Sequence, residues 1–455
     1  MTEKLKAYPQ YKASGIEWFG DIPSHWVRMP LKAVLKNSSA GTWGDEPKED
    51  GTDIVCFRVA DFDYQHLSLS SKNITYRSVD EKQLQGREVK CGDIVIEKSG
   101  GGDIWPVGRA VISNYDIKAT CSNFMHVISV NDKANNKYLN YLFATIYMHG
   151  LNRQYFAQTT GIQNLNVKEY LSQVVYFPSI SEQGAIAAYL NDVIGKVDAL
   201  IAEKQTQVED LRAYRNSIIT ETVTRGLNPD APLRHSGIDW LGSIPRHWEM
   251  SALKYLTSKI GSGITPRGGS EVYLDKGVLF IRSQNVYPDG LHLDDPKYIS
   301  ESIDESMSNT RVYPGDILLN ITGASIGRCC VYTMTERANV NQHVCIIRPL
   351  CNLIKNQFLS YILNSKIGQD QIALFQTGGN REGLNFEQLK NFAIPLPPRS
   401  EQQAIAEFLD DKTEKIDALI DELNKQLDEL AEYRQAVISE AVTGKVDVRD
   451  WTPKS

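Results

Sequence analysis

The sequence has no long hydrophobic run and only seven scattered cysteines. No stretch approaches the roughly 20 apolar residues that a membrane-spanning helix needs. The cysteines never occur as CxxC, which argues against a zinc site, and their odd number argues against a disulfide framework. The N-terminal residues MTEKLK carry charge with no apolar run behind them, so we expect no signal peptide and a cytoplasmic location.

The sequence also lacks the motifs that indicate catalysis. No GxxxxGK[ST] phosphate-binding loop occurs, and SGGGD (99–103) does not have the GxGxxG spacing of a dinucleotide-binding loop. The (N/D)PP(Y/F) tetrapeptide of amino-methyltransferases is missing, as are the common metalloprotease and serine-hydrolase motifs. The sequence therefore predicts a chain with no catalytic residue, no metal ion and no cofactor of its own.

The net charge of −7 is not the basic excess that is usual for nucleic-acid-binding domains. Much of the acid is concentrated in residues 407–432, which read EFLDDKTEKIDALIDELNKQLDELAE and account for the whole negative excess. The rest of the chain can still present a basic surface. The composition therefore permits DNA binding without supporting it.

The strongest positive feature is an internal repeat. SGIEWFGDIPSHW (14–26) recurs as SGIDWLGSIPRHW (236–248), and the block at 164–201 aligns without a gap to 383–420. Between these blocks the halves diverge, as expected of two modules that share a scaffold and carry different binding surfaces. A period near 220 residues is too long for a solenoid, so it indicates two globular domains.

After each SEQ tripeptide, apolar residues recur at alternating spacings of four and three. Such a 3.5-residue repeat over many turns predicts a coiled-coil seam. The predicted seam residues are Ile186, Leu190, Val193, Val197, Leu200, Leu211, Tyr214 and Ile218 in the first helix and Ile405, Leu409, Ile416, Leu419, Leu423, Leu430, Tyr433 and Val437 in the second. We expect the two helices to pair antiparallel as a rigid spacer; the alternative is that each packs separately on its own domain.

Short apolar runs between turn residues predict strand-rich domains at 20–180 and 242–399. Arg, Lys, Asn and Gln, whose side chains match base edges in the major groove, cluster in their glycine-rich loops and at strand ends. The candidate DNA-contacting residues are Arg58, Lys98, Gln163, Asn164, Arg267, Arg282, Gln284, Asn285, Asn341, Gln342, Asn380 and Arg381. The alternative for each one is an ordinary solvated loop or capping residue.

The tryptophans Trp18 and Trp26 recur as Trp240 and Trp248, each pair next to the same local sequence. Residues that are identical in two domains with different binding surfaces are better explained by the scaffold than by base stacking. The repeated histidine of PSHW and PRHW is predicted to be structural rather than catalytic for the same reason.

GIEWFGDIPSHW and GIDWLGSIPRHW resemble the openings of target recognition domains in the specificity subunits of type I restriction–modification systems. IPLPPRSEQQAIAEFLD, with KIDALI and YRQAVISEAVTGK after it, is similar to the conserved helical region of that family. The first half departs slightly, because FPSIS replaces the usual PLPP-type entry to the helix. The resemblance covers nearly the whole chain.

This resemblance implies an α+β fold with two strand-rich target recognition domains separated by two long antiparallel coiled-coil helices. It also implies that each domain binds one part of a bipartite double-stranded DNA site. Two methyltransferase subunits that use S-adenosylmethionine, and motor-nuclease subunits that use ATP and Mg²⁺, would be the catalytic partners. The expected domains are 1–180, the helix 181–226, the second recognition domain with its linker at 227–399, the helix 400–445, and a tail at 446–455.

Two other classes stay open on the sequence alone. One is a cytoplasmic scaffold that binds no nucleic acid and uses the repeat as a pseudo-symmetric platform. The other is the recognition half of an enzyme that carries out restriction and methylation in one chain, although the missing methyl-transfer motifs disfavour it.

Overall fold

The longest elements of the chain are two helices, Ile180–Arg225 and Arg399–Val442. The computed structural model describes residues 6–159, 162–376 and 383–452. The chain forms two compact units, a first unit of residues 1–204 with 425–455 and a second unit of residues 205–424. Each long helix therefore begins in one unit and ends in the other.

The first unit is built on a six-stranded sheet and two three-stranded sheets, and the six-stranded sheet shares an apolar core with the three-stranded sheet that contains Ile54–Phe57. The six-stranded sheet has the spatial order Leu35–Ala40, Met125–Val130, Ile94–Glu97, Ala110–Ile112, Ser68–Leu69 and Phe62–Asp63. The two three-stranded sheets are Ala119–Cys121, Ile54–Phe57 and Tyr76–Arg77, and Ser99–Gly101, Ile162–Leu165 and Phe156–Thr159. Two strand pairs complete it, Tyr11–Ala13 with Asp21–Pro23 and Val27–Pro30 with Val174–Phe177.

The second unit repeats this strand order, but its sheet that corresponds to the six-stranded one has four strands. One four-stranded sheet has the order Thr257–Ser262, Val344–Pro349, Ile317–Asn320 and Cys329–Val331, and the other Lys297–Ile299, Val278–Ile281, Ala338–Val340 and Arg311–Val312. The strand pairs are Leu233–His235 with Ser243–Pro245, Glu249–Ala252 with Ala393–Leu396, and Val286–Tyr287 with Gly290–Leu291. The internal repeat of the sequence is thus a repeat of strand topology.

The shorter helices lie on these sheets. In the first unit they are Glu81–Leu84, Asn136–Met148 and Val167–Tyr170, and in the second Glu301–Ser306, Asn356–Asn364, Lys366–Gln376 and Phe386–Lys390. Asn136–Met148 and Asn356–Asn364 occupy equivalent places in the two units, and Lys366–Gln376 begins directly after Ser365, which ends the helix before it.

The two long helices pair antiparallel, because residue numbers rise along one helix as they fall along the other. In the first unit Asp198 lies against Arg434 and Lys204 against Gln426. In the second unit Arg215 lies against Asp417. The helices have 46 and 44 residues; they begin one residue before the expected boundaries and are roughly 65–70 Å long at 1.5 Å per residue.

Most of the predicted seam faces the partner helix or the core. Buried are Ile186, Leu190, Val197, Ile405, Leu409, Ile416 and Val437, and partly buried are Val193, Leu211, Ile218, Leu423 and Leu430. Four positions of the predicted seam are wrong, since they are about half exposed: Leu200, Tyr214, Leu419 and Tyr433.

The next residue in the chain occupies the seam at each of these four positions. Ile201 is buried where Leu200 was expected, and two adjacent apolar residues leave the periodicity undecided. Arg215 takes the place of Tyr214 by pairing with Asp417. A prediction from hydrophobic periodicity does not place a charged residue in a seam. The seam position of Arg215 is therefore seen only from its carboxylate partner on the other helix.

A glutamate in the first turn of each long helix bonds to the repeated histidine, and in the first unit also to Trp26; Trp248 is buried, but its indole N–H has no hydrogen-bond partner among the described residues. Trp26 is buried and its indole N–H donates to Glu182 Oε1 at 3.0 Å, while His25 Nε2 lies 2.8 Å from Glu182 Oε2. In the second unit His247 Nε2 lies 2.9 Å from Glu401 Oε2. One carboxylate in the first turn of the helix thus ties it to the preceding domain.

The glycines that end the long helices pack on the same tryptophans. Gly444 has φ +72°, and a Cβ atom there would lie 2.5 Å from Pro23 Cδ and 3.0 Å from the Trp26 ring. Gly226 has φ +74°, and a Cβ atom there would lie 2.7 Å from Glu401 Oε1 and 3.1 Å from the Trp248 ring. The left-handed backbone and the close ring both require glycine at these two positions.

Gly444→Ala is expected to destabilise the protein by about 1–3 kcal/mol, because alanine adds backbone strain and a clash with Pro23 and Trp26. The melting temperature measured by circular dichroism checks this. Gly195→Ala is the matched control, since Gly195 lies inside the first long helix with open space around it. Alanine there should stabilise by about 0.5–1 kcal/mol; equal behaviour of the two variants would contradict the anchoring role.

Candidate nucleic-acid interface

Strand ends of the first unit meet at one edge of its sheets and line a cleft. The Ser122 N–H donates to the Phe57 carbonyl at 2.8 Å, and the Lys98 N–H donates to the Phe124 carbonyl at 2.9 Å. The cleft has a volume of about 600 Å³. It is lined by Trp43, Arg58, Val59, Ala60, Glu97, Ser99, Gly100, Ser122, Asn123 and Phe124.

Two aromatic rings and an arginine dominate this cleft. Phe124 is 50% exposed, and the Trp43 ring is covered on one side by the Arg77 guanidinium at 4.6 Å. The guanidinium of Arg58, a predicted DNA contact, pairs with Asp61 at 3.2 Å and donates to the Asn73 carbonyl at 3.0 Å. Arg58 is therefore held in place with its side chain 37% exposed.

A buried ion pair closes the inner end of the cleft. The Arg109 guanidinium donates to Glu97 Oε2 at 2.8 Å, and the two side chains are 17% and 2% exposed. Burial raises the pKa of Glu97 above its usual value, and the Arg109 charge opposes this rise. Arg109 also lies 5.7 Å from the ring centre of Trp105, which is 59% exposed.

The other candidates of the first unit lie beside this edge. Strand Ser99–Gly101 pairs with strand Ile162–Leu165, and Asn164 Oδ1 accepts a 2.5 Å hydrogen bond from the Ser99 hydroxyl. Lys98 is half-buried and makes no ion pair within the described residues. Gln163 is wrongly predicted as accessible: it is buried, and its Oε1 has no partner within the described part of the chain.

The same edge recurs in the second unit with different side chains. The Asn341 N–H donates to the Ile281 carbonyl at 3.0 Å, as Ser122 does to Phe57 in the first unit. His343 Nδ1 lies 2.5 Å from the Thr322 hydroxyl, and Ile264 is 45% exposed beside this turn. The scaffold hydrogen bond is kept while the side chains around it change.

Three candidates of the second unit are held by the fold. Arg282 is 16% exposed and donates to the Asp295 carbonyl at 2.9 Å. Asn285 and Asn341 were expected at the surface but are buried. The Asn285 side chain accepts from the Arg282 N–H at 3.0 Å and donates to the His292 carbonyl at 2.9 Å, so it closes a turn instead of facing solvent.

Arg267, Gln284 and Gln342 are exposed and remain candidates for base contacts. Asn380 and Arg381 lie outside the described residues. The sequence reasoning missed Trp43, Asn123 and Phe124 in the first unit and Thr322 and His343 in the second. Asn123, Phe124, Thr322 and His343 lie next to apolar strands, and that position was the available signal; Trp43 lies in the loop after Leu35–Ala40 and carried no such signal.

The scaffold is duplicated, its long helices are paired, and each unit has an equivalent sheet edge with different side chains. These features define a class of protein with two related but different candidate binding edges. The described residues contain no group of three or more His, Cys, Asp or Glu that could hold a metal ion. Among the helices that the structure describes, none combines the length and hydropathy needed to cross a bilayer.

The chain belongs to the type I restriction–modification DNA specificity domain family, whose model matches residues 23–210 and 245–429. The suspected family is thereby confirmed. Specificity subunits are the non-catalytic components of type I systems, which confirms that this chain is not an enzyme by itself.

Relatives match along almost the whole chain. The type I restriction enzyme EcoBI specificity subunit of Escherichia coli is 24% identical over 437 residues, 93% of this chain and 87% of that protein. The MjaIX specificity subunit of Methanocaldococcus jannaschii is 24% identical over 465 residues, 98% of this chain and 99% of that protein.

Solved structures confirm the predicted fold class. A chain from a study of complex assembly and conformational transition in a type I system has a TM-score of 0.69 at 17% identity, covering 92% of this chain and 98% of that one. The HsdS subunit of Thermoanaerobacter tengcongensis has a TM-score of 0.50 at 18% identity, covering 93% and 98%.

Arg109→Met is expected to destabilise the first unit more at pH 8 than at pH 5. Without the guanidinium the folded-state pKa of Glu97, already raised by burial, rises further. Ionised Glu97 then costs folding free energy increasingly as pH rises from the unfolded pKa towards the folded one. Urea unfolding at both pH values measures this, with Lys118→Ala as the surface ion-pair control; a loss independent of pH would contradict the assignment.

Proposed function

We propose that this chain reads a bipartite double-stranded DNA target for a type I restriction–modification complex, one half-site with each unit. The observation that carries the proposal is the duplicated sheet edge, on which scaffold hydrogen bonds repeat and exposed side chains do not. Base edges are distinguished by side chains of differing hydrogen-bonding pattern, whereas the backbone of DNA is the same at both half-sites.

The two edges supply suitable groups for this reading. Asn123 and Phe124 line the first cleft, and Lys98 lies next to it through its backbone bond to Phe124. Gln284 and Gln342 are exposed in the second unit. Amide and ammonium groups match acceptors on guanine and adenine, and an aromatic edge suits the thymine methyl group. The paired long helices would then act as the spacer that sets the gap between the half-sites.

Docking of methyltransferase subunits is proposed at the exposed apolar side chains of the long helices. In the first unit these are Leu200 and Tyr433, 46% and 48% exposed, and in the second Tyr214 and Leu419, 56% and 55% exposed. Each one precedes a seam residue by one position, and in an antiparallel pair such positions lie on the same flank. Each unit therefore presents one leucine and one tyrosine side by side, equivalent under the repeat.

The chemistry of the complex is assigned to partner subunits. Methyltransferase subunits would bring S-adenosylmethionine, and motor-nuclease subunits would bring ATP and Mg²⁺. The complex would act on DNA in the cytoplasm. This chain would contribute the choice of DNA target and the spacing between its half-sites.

Lys98→Ala with Phe124→Ala should alter preference at one half-site, and Gln284→Ala with Gln342→Ala at the other. Each lost base contact reduces discrimination about tenfold. Genome-wide mapping of methylated adenines in cells that contain the partner subunits measures both sites. Lys137→Ala, an exposed lysine outside the cleft, is the control. A pair of substitutions that relaxed both half-sites together would refute one reader per unit.

Leu200→Glu with Tyr433→Glu should abolish binding of a methyltransferase subunit, because two charges replace the apolar flank. The thermal stability of the chain alone should change little, since both side chains are already half exposed. Analytical ultracentrifugation with purified partner measures assembly. Ala199→Glu, an exposed position on the same helix away from the seam, is the control; normal assembly of the double variant would exclude this flank.

A further inference from the structure

Two ion pairs cross between the long helices at equivalent places. Arg215 forms a two-bond fork on Asp417, with Nε–Oδ1 and Nη2–Oδ2 distances of 2.8 and 3.0 Å. Arg434 Nε donates to Asp198 Oδ1 at 2.8 Å. Arg215 aligns with Arg434 and Asp198 with Asp417 in the internal repeat, so the second pair is the first one repeated with the helices exchanged.

These pairs lie between the two apolar cores. The first core includes the first long helix up to Ile194 and the second long helix from Val437. The second core includes the first helix from Ile218 and the second helix up to Leu409. The buried apolar side chains between these limits belong to neither core; they are Val197, Ile201, Val208, Ile416 and Ile420. The arginines take seam positions that leucine or isoleucine would fill in an ordinary coiled coil.

Arg434 bonds to a hairpin of its own unit, and Arg215 lies beside the equivalent hairpin. Arg434 Nη2 donates to the Gln65 carbonyl, in the turn between strands Phe62–Asp63 and Ser68–Leu69. In the second unit Pro288 and Asp289, in the turn between Val286–Tyr287 and Gly290–Leu291, line one cleft with Arg215 and Asp417.

These hairpins follow the candidate reading segments directly in the chain. The turn at Gln65 comes after Arg58 and the helical turn Val59–Asp61, and the turn at Pro288 comes after Arg282 and the helical turn Ser283–Asn285. Each arginine is therefore the place where both long helices and the reading segment of one unit converge.

We propose that Arg434 with Asp198, and Arg215 with Asp417, are positioning residues that set the spacing specificity of the DNA target. They hold the two helices together between the two cores, beside the hairpin that follows each reading segment, so that a single gap between half-sites is accepted. The inference rests on the proposed function.

The physical reason is that ion pairs of this kind are directional and apolar contacts are not. The bidentate pair of Arg215 with Asp417 fixes both distance and orientation. Arg434 divides its guanidinium between Asp198 and the Gln65 carbonyl, which fixes its orientation as well. Its net contribution to stability is small, because desolvation of both charges offsets their attraction. Replacing the pair by apolar residues of similar volume should therefore keep the fold and lose the geometry.

The test uses the full chain in complex with its methyltransferase partner. Asp198→Leu with Arg434→Met converts one clamp into an apolar contact, and Asp417→Leu with Arg215→Met converts the other. Once the wild-type target is mapped, the probe is a set of duplexes with both half-sites fixed and the gap one or two base pairs longer or shorter. The preference for the native gap over its neighbours should fall at least about fivefold in each variant.

Controls and a second measurement separate this inference from the proposed function. Lys196 with Asp192 and Lys415 with Asp411 are ion pairs on the same helices, equivalent under the repeat, but each lies within one helix. Their double alanine variants should keep the native gap preference. Amide hydrogen exchange at 195–218 and 410–436 should quicken in the clamp variants only, and this reading needs no DNA.

Unchanged gap preference with normal methylation in both clamp variants would overturn the inference. If a clamp variant does not fold, Arg434→Lys and Arg215→Lys replace it, because lysine keeps the charge and loses the fork. Their gap preference should also broaden, and wild-type behaviour would overturn the inference equally. If the wild-type complex methylates no defined target, the proposed function fails, while faster exchange in the clamp variants still supports the clamp.

Discussion

The antiparallel contact between the two long helices is the constraint on which the rest of the structure depends. Each globular unit is completed by the beginning of one helix and the end of the other, so neither unit has a whole core without both helices. A long helix in a protein owes most of its stability to tertiary packing of its apolar face. The fold therefore couples the pairing of the long helices to the stability of both units.

Duplication allows the scaffold and the reading surface to change separately. The repeated carboxylates Glu182 and Glu401 hold the repeated PSHW and PRHW segments, and the helix-ending glycines pack on the same tryptophans. At the sheet edges the backbone hydrogen bonds repeat, while Trp43 and Phe124 in one unit have no counterpart in the Thr322–His343 contact of the other. A chain organised in this way can change the side chains of one edge without losing its framework.

The candidate site could be predicted only in outline. Residue type pointed to Arg58 and Arg282 at equivalent strand ends, and the structure places both there, held by acceptors of their own unit. Residue type also selected Asn285 and Gln163, which are buried. An amide can cap a turn or read a base equally well, and the choice depends on which backbone groups lie near it after folding.

The sequence by itself determined the duplication, the class of fold, the two long helices and the absence of catalytic motifs, because periodicity and repeats are local properties of a chain. Tertiary structure alone decided which side of each helix faces its partner and which polar side chains reach solvent. Arg215 and Arg434 show the physical reason. A charge belongs in a seam only when a carboxylate about 200 residues away in the chain folds against it, and no local pattern carries that information.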